Sequence, residues 1–420
     1  MNRLVLQVMV RAASLLAVVT NVGAAGLQDL LPISYTKREA NNAVTQLQQK
    51  IDAGELRFHQ DNSKAYLLAV LDELGVSADS QVLVFSKTSL QTKWISESTP
   101  RAIYFSDTTY VGYVPGGMIE VMTHDPELGM AFYTVRRPVT KKQQTTFKRE
   151  NSCLRCHATH RTEGVPGAFI RSVKVGTRKE VIGPSFDVNH KTPFSQRWGG
   201  WYVTGDWGEN RHRGNTPLLG KPELKESSLK QLDFLSDSYY PRKTSDVVAL
   251  SVLEHQVYLH NLLIAAKMRY QRAYYLQQQS SVADSNLATG GASRALAERV
   301  AEELVEALLF CGEAKMRADG LSGTLGFTQQ FKAGVKKNAK GKSLKDLRLY
   351  DRIFKYRCSY MIYHPAFEAL PEVVKGIVLQ RLRQVITSED LEEKFQHLKA
   401  SERKVIHSIL SETLPGYGGA

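Results

Sequence analysis

Cys153, Cys156 and His157 are the residues of this 420-residue chain whose types and spacing carry the most specific chemistry. They stand in the run Cys153-Leu154-Arg155-Cys156-His157. Two thiols at this spacing reach the two vinyl groups of one haem and form thioethers with them. The imidazole that follows is then held under the iron as the proximal ligand. The pattern predicts one covalent haem c, attached through Cys153 and Cys156, with His157 as an axial iron ligand. Other uses of such a motif fit less well. A structural zinc site wants a second ligand pair at similar spacing, and the sequence has none. A thioredoxin-like dithiol follows a strand in a βαβ pattern, which this region lacks. A Cys153–Cys156 disulfide leaves the histidine unexplained.

The sixth iron position decides whether such a group only carries electrons. Small electron-transfer cytochromes use a methionine some tens of residues after the motif, but here no Met lies between His157 and Met268. His160 shares the local turn with the proximal ligand and cannot easily reach the opposite face. The candidates for a second axial ligand are His212 and His190 downstream, with Met122, His124 and Met130 upstream. Arg155, Arg161, Arg171 and Arg197 are candidate partners for haem propionates. Glu254-His255 and His260 stand close together on a predicted helix. Their five-residue spacing turns the two rings about 140° apart, so they do not address one site.

The elements that must position these residues differ along the chain. Helical spacing covers 37–51 and 63–74, the latter with Tyr66, Leu67, Val70 and Leu71. Short β-rich runs follow at 82–85, 102–105, 110–113, 118–121 and 131–135, with Pro115-Gly116-Gly117 and Asp125-Pro126 as turns. Further strands are expected at 168–175 and 198–203. All four Trp fall between Trp94 and Trp207, as a haem pocket or a sheet core would both want. Beyond about residue 235 the pattern turns helical. Thr244-Ser245-Asp246 caps a long run from Val247 to about Gln279, and a Gly/Ser/Asn-rich linker spans 280–293. Helices are expected at 294–316, 345–357, 371–386 and 391–414. The expected fold is α+β. A signal peptide covers 1–24, a mixed antiparallel-sheet domain carrying the haem covers 25–235, and an α-helical domain covers 236–420.

Composition narrows the setting. Arg3, the mostly apolar run from Ala12 to Val22 and the small residues Gly23-Ala24-Ala25 read as a secretory signal cleaved after Ala24. Arg11 interrupts the apolar run, short of a spanning helix. After its removal no other segment is expected to cross a membrane, and the location is expected to be periplasmic or otherwise exported. The formal net charge is +13, falling to about +11 with the signal gone. That balance suits an acidic redox partner protein and, in this compartment, not nucleic acid. The lysines from Lys336 to Lys345 make either a solvated loop or a docking patch. Cys311 and Cys358, the remaining thiols, either pair or stay as separate buried thiols.

Taken together, Ser152 to His157, Gly164-Val165-Pro166-Gly167 and Arg171-Ser172-Val173 resemble a family of bacterial cytochrome c domain-containing proteins of unassigned function. The likeness extends to Val84–Ser89, Pro100–Phe105, His190–Phe194, Arg197–Gly205, His212–Asn215, Val252–Gln256 with His260-Asn261, and Cys358–Tyr363. It departs at Asp206-Trp207-Gly208, where the family pattern has a His before the Gly. The resemblance implies haem binding and electron transfer without a settled reaction. The sequence thus predicts an exported mono-haem cytochrome passing single electrons. A haem enzyme acting on peroxide or another small oxidant is the alternative, and a haem-based gas or redox sensor the third reading. Phosphate loops, hydrolase triads and paired-carboxylate signatures are not evident.

Overall fold

A computed structural model of the chain describes residues 26–58, 61–140, 143–176, 180–219, 227–281 and 291–418. The expected signal at 1–24 and most of the linker lie outside the described residues. Two helices come first, α1 (Ala43–Asp52) and α2 (Ser63–Glu73). Asn42 and Thr45 cap α1 reciprocally, each side chain accepting the other's backbone N–H, and Asn62 caps α2 through Ala65 N–H. Each buries its apolar stripe, Val44, Leu47 and Ile51 on one and Tyr66, Leu67, Val70 and Leu71 on the other.

The strands are β1 (Val82–Val84), β2 (Arg101–Phe105), β3 (Thr109–Tyr113), β4 (Ile119–Asp125), β5 (Gly129–Val135), β6 (Lys148–Arg149), β7 (Arg171–Ser172), β8 (Phe186–Asp187) and β9 (Trp201–Tyr202). Seven of them form one sheet in the order β6-β5-β4-β3-β2-β1-β9, with every pair antiparallel. Strand side chains alternate between faces. Tyr104, Val111, Val121 and Tyr133 stand in register on one face, where Asn42 at the start of α1 bonds the Tyr133 hydroxyl. Phe105, Tyr110, Met122 and Phe132 stand in register on the other. That second face takes the central helix and the Cys153–His157 motif.

The central helix is the 35-residue Val247–Ser281. Counting the motif's own short helix, Leu154–His157, as α3, it is α4. Asp246 caps it, accepting from the Val248 and Ala249 N–H groups, and Ser245 ties its start to β1 and β9 through Leu83 N and Tyr202 O. By length and composition α4 would pass for a membrane span, although no further segment long and apolar enough is expected from the sequence; 94% of its apolar window is buried inside the protein. A core helix, apolar all round, reads this way. α4 packs against α5 (Gly291–Leu308), which packs on α8 (Glu372–Thr387), with α9 (Ala400–Thr413) beside α8. The short α6 (Leu325–Phe331) and α7 (Pro365–Glu368) fill the turns.

The architecture is α+β, as expected, with the antiparallel sheet first and helices dominating the C-terminal part. Across the boundary expected at 235, one apolar cluster runs without a break from Ile33 to Tyr417, because α4 lies on the sheet. Besides the β7–β8 pair, two two-stranded ladders, β10 (Gly205–Asp206) with β11 (Ser228–Leu229) and β12 (Leu347–Tyr350) with β13 (Arg352–Phe354), complete the described strands. The second corrects the helix expected at 345–357. Leu349 and Asp351 take φ of 63° and 57°, which a right-handed helix excludes. The helix expected at 294–316 stops at Leu308, where Phe310 and Gly312 turn left-handed. The strand expected at 168–175 is reduced to β7, and the helix expected from 391 begins at Ala400.

Candidate functional site

The Cys153–His157 motif occupies α3 and the turn before it. Leu154 and Cys153 pack against the core from partly exposed positions, while Cys156 is exposed and both thiols are free. The peptide then loops back on itself. His157 Nδ1 lies 2.8 Å from Gly167 O, and Gly167 N–H donates to His157 O at 2.9 Å. A carbonyl oxygen only accepts, so Nδ1 carries the proton and Nε2 keeps its lone pair. Burial lowers the pKa of His157, partly offset by the Gly167 carbonyl, so the ring is neutral at pH 7. Phe132 and Phe169 flank it with ring centroids 5.1 Å away.

Side chains of α4 hold this loop. Asn261 accepts from Ala168 N–H at 3.1 Å and donates to Ala168 O at 2.7 Å. Arg269 donates to the carbonyl and carboxylate of Glu163, at 2.9 and 3.0 Å. Gly167 permits the close approach, since a Cβ there would collide with the Asn261 amide. We predict that Asn261→Ala, which strands two buried backbone groups, lowers stability by about 1–3 kcal/mol. A denaturant titration checks this, and an unchanged midpoint would mean the clamp carries no energy.

Cys153 is not an activated thiol. Burial, with Glu120, Glu150 and Cys156 nearby, pushes Cys153 up to about 11, whereas redox-active thiols need a depressed pKa. Nor do the three motif residues form a metal cage among themselves; among the described residues the one such cluster is His124, His260 and His364. Of the candidate propionate partners, Arg171 lies near Arg161 and Cys156 and bonds Ser185. Arg161 pairs with Asp187 at 2.6 Å, and Arg155 is exposed. Arg197 is corrected: it is buried and paired with Glu254 inside the core, so it is committed elsewhere.

The two downstream candidates for the second axial ligand, His190 and His212, make ring contacts that do not include His157. His190 bonds His255, Nδ1 to Nδ1 at 3.0 Å, and its ring neighbours are His255, Tyr258 and Phe310. His212 lies between Trp198 and Trp207 and accepts from Gly214 N–H. Neither shares a ring neighbour with His157. Met130 is wholly buried. Met122, partly exposed, stands directly across the ladder from Phe132. His255 and His260 diverge as their spacing requires, one toward His190 and Ser359, the other toward Tyr110. Cys311 and Cys358 are unpaired, with Cys311 bonding Lys394 O. In the lysine-rich loop, Lys345 is drawn in to pair with Asp107 at 2.7 Å.

Sequence reasoning missed Asn261 and Arg269, because their roles depend on a loop ninety or more residues earlier. It also missed that His124, His260 and His364 meet. The Gly164-Val165-Pro166-Gly167 turn was the available signal for the first.

Burial pushes His212 down to about 4 and His255 down to about 3. Unfolded, both titrate near 6.5, so between these values the unfolded chain binds more protons and stability rises with pH. Their contribution is complete above about pH 6.5 and is lost progressively as pH falls toward 4. We expect a lower urea midpoint at pH 5 than at pH 7.5; equal midpoints would contradict the buried, neutral state of these rings.

Comparison of the chain with protein-family models, with characterised proteins and with solved structures finds no match in any of the three.

Proposed function

We propose that the chain is an exported mono-haem c-type cytochrome that passes single electrons, of the kind suggested by its resemblance to bacterial cytochrome c domain-containing proteins. The observation that carries the reading is the pairing of His157 Nδ1 with Gly167 O. It fixes the ring so that Nε2 is free to ligate, immediately beside two unpaired thiols at thioether spacing. Cys153 and Cys156 would hold the group covalently and His157 would hold its iron. When bound, the group supplies a reversible one-electron couple.

The protein's own part is positioning. The Asn261 and Arg269 clamps fix the loop, Phe132 and Phe169 wall the imidazole, and Arg171 offers positive charge near Cys156 for propionates. Exposed Cys156 places the site at the surface, where an acidic redox partner could approach the basic protein.

The separate positions of His190 and His212 favour keeping the second reading, a haem enzyme acting on peroxide or another small oxidant. The optical spectrum of purified protein, ferric, ferrous and ferrous with carbon monoxide, separates the two. Electron transfer predicts a low-spin spectrum unmoved by carbon monoxide, and Met122→Ala, His190→Ala and His212→Ala then locate the sixth ligand. A high-spin ferric form or prompt carbon monoxide binding would overturn that reading in favour of the enzyme. Absence of any haem spectrum would remove both.

A further inference from the structure

We propose that His124, His260 and His364 form a binding site for one divalent first-row transition ion, distinct from the Cys153–Cys156–His157 motif. The three come from β4, α4 and the residue capping α7, yet one ring nitrogen of each lies within 4.8 Å of the others. Ring centroids are 5.7, 5.1 and 4.1 Å apart in the three pairs. All are buried, at 8%, 1% and 3% exposure.

Buried polar atoms ordinarily find partners. Here four ring nitrogens, both of His124 and Nε2 of His260 and of His364, make no well-formed hydrogen bond, the Gly129 and Asp107 backbones lying near His124 and His364. No hydrogen bond joins the three rings to one another, whereas one cation gives each ring a partner. Ligand bonds of about 2.0–2.1 Å need the rings to rotate inward from their present spacing. Burial keeps all three rings neutral, the form that ligates.

The surroundings suit ligation. His260 Nδ1 meets the Tyr110 hydroxyl at 3.0 Å. That hydroxyl accepts from Gln256 Nε2 at 2.9 Å, and Gln256 Oε1 accepts from Tyr360 at 2.8 Å. This chain orients the ring as second-layer bonds do in metal proteins. His364 Nδ1 accepts from Ala366 N–H, so its proton sits on Nε2 without an ion. Ligation through Nε2 moves that proton to Nδ1 and gives up the cap, a small loss beside a metal bond.

The donor set selects the ion class. Imidazole suits Zn²⁺, Cu²⁺, Ni²⁺ and iron, while Ca²⁺ and Mg²⁺ want oxygen. Asp125, next to His124, and Asp107, paired with Lys345, supply nearby negative charge, against Lys267 and Lys345. Three protein ligands leave a fourth position for water or a small molecule. A cavity of about 260 Å³, which His364 lines together with Asp107, Thr108, Lys345 and Tyr360, lies beside the site.

The test uses the purified full chain with whatever haem it carries, cleared with chelator, given one equivalent of Zn²⁺ and desalted. Elemental analysis should find about one zinc per chain, and zinc-edge X-ray absorption should show imidazole nitrogen and no sulfur. His364→Asn keeps a capping side chain but removes the ligand, and should retain at least about tenfold less zinc with an unchanged far-UV spectrum. His260→Gln gives an independent second reading. No zinc in the wild type, sulfur in its coordination shell, or equal retention by both variants would overturn the proposal. Because sulfur ligation would report the Cys153–Cys156 pair instead, failure of the haem reading and failure of this site are distinguishable.

Discussion

Cys153→Ala/Cys156→Ala is expected to abolish all haem that survives acid–organic extraction, while leaving the polypeptide folded. The loss is complete because thioethers are the only covalent link the motif offers, and each thiol supplies one. Cys156 is exposed and Cys153 only partly buried, so alanine at both removes little packing. The loop is held instead by the mutual His157–Gly167 pair and by Asn261 and Arg269. Far-UV circular dichroism and the denaturation midpoint of haem-free protein should therefore match those of haem-free wild type. Each single variant should keep haem through one thioether. Acid-stable haem in the double variant would show that the motif is not the point of attachment.

Glu254→Ala is expected to be the most damaging single substitution in the core, at about 3–5 kcal/mol. Glu254 is 0% exposed and pairs with Arg197, itself 3% exposed, and it accepts from Trp198 Nε1 at 3.2 Å. Burial raises the Glu254 carboxyl pKa, with Arg197 and Trp198 opposing. The Arg197 contact is charge-assisted whether or not Glu254 is protonated, since the guanidinium stays charged. Removing the carboxylate leaves that charge buried with the Thr192 and His190 carbonyls, the Phe194 ring and the more distant Glu313, and loss of its bonded carboxylate is what makes breaking the pair costly. Glu254→Gln keeps an acceptor for Arg197 and should cost less. Urea titrations of the two variants give the comparison; an alanine variant within about 1 kcal/mol of wild type would mean the pair contributes no more than an exposed one.

The sheet was readable because its strands alternate and are punctuated by Gly and Pro. Five expected runs fall on β1 to β5 within a few residues. The hairpin at β12–β13 was not readable, because Leu347, Leu349, Ile353 and Phe354 at short range mimic helical spacing, and only the left-handed backbone at Leu349 and Asp351 distinguishes the two. The central helix was found with its Asp246 cap, but not that it is the core shared by both halves.

The motif is local, so the sequence by itself determined its donor set: two thiols and an imidazole lie within five residues whatever the rest of the chain does. Its tautomer was not determined there, because Gly167 must fold back ten residues to take the Nδ1 proton, and Asn261 must arrive from α4 to hold that loop. His190 against His255, Arg197 against Glu254, and His124 with His260 and His364 are likewise pairings of residues 57 to 240 positions apart. Burial, which removes water as a competing partner, decides each of them, and burial belongs to the packed sheet and helix rather than to any stretch of sequence.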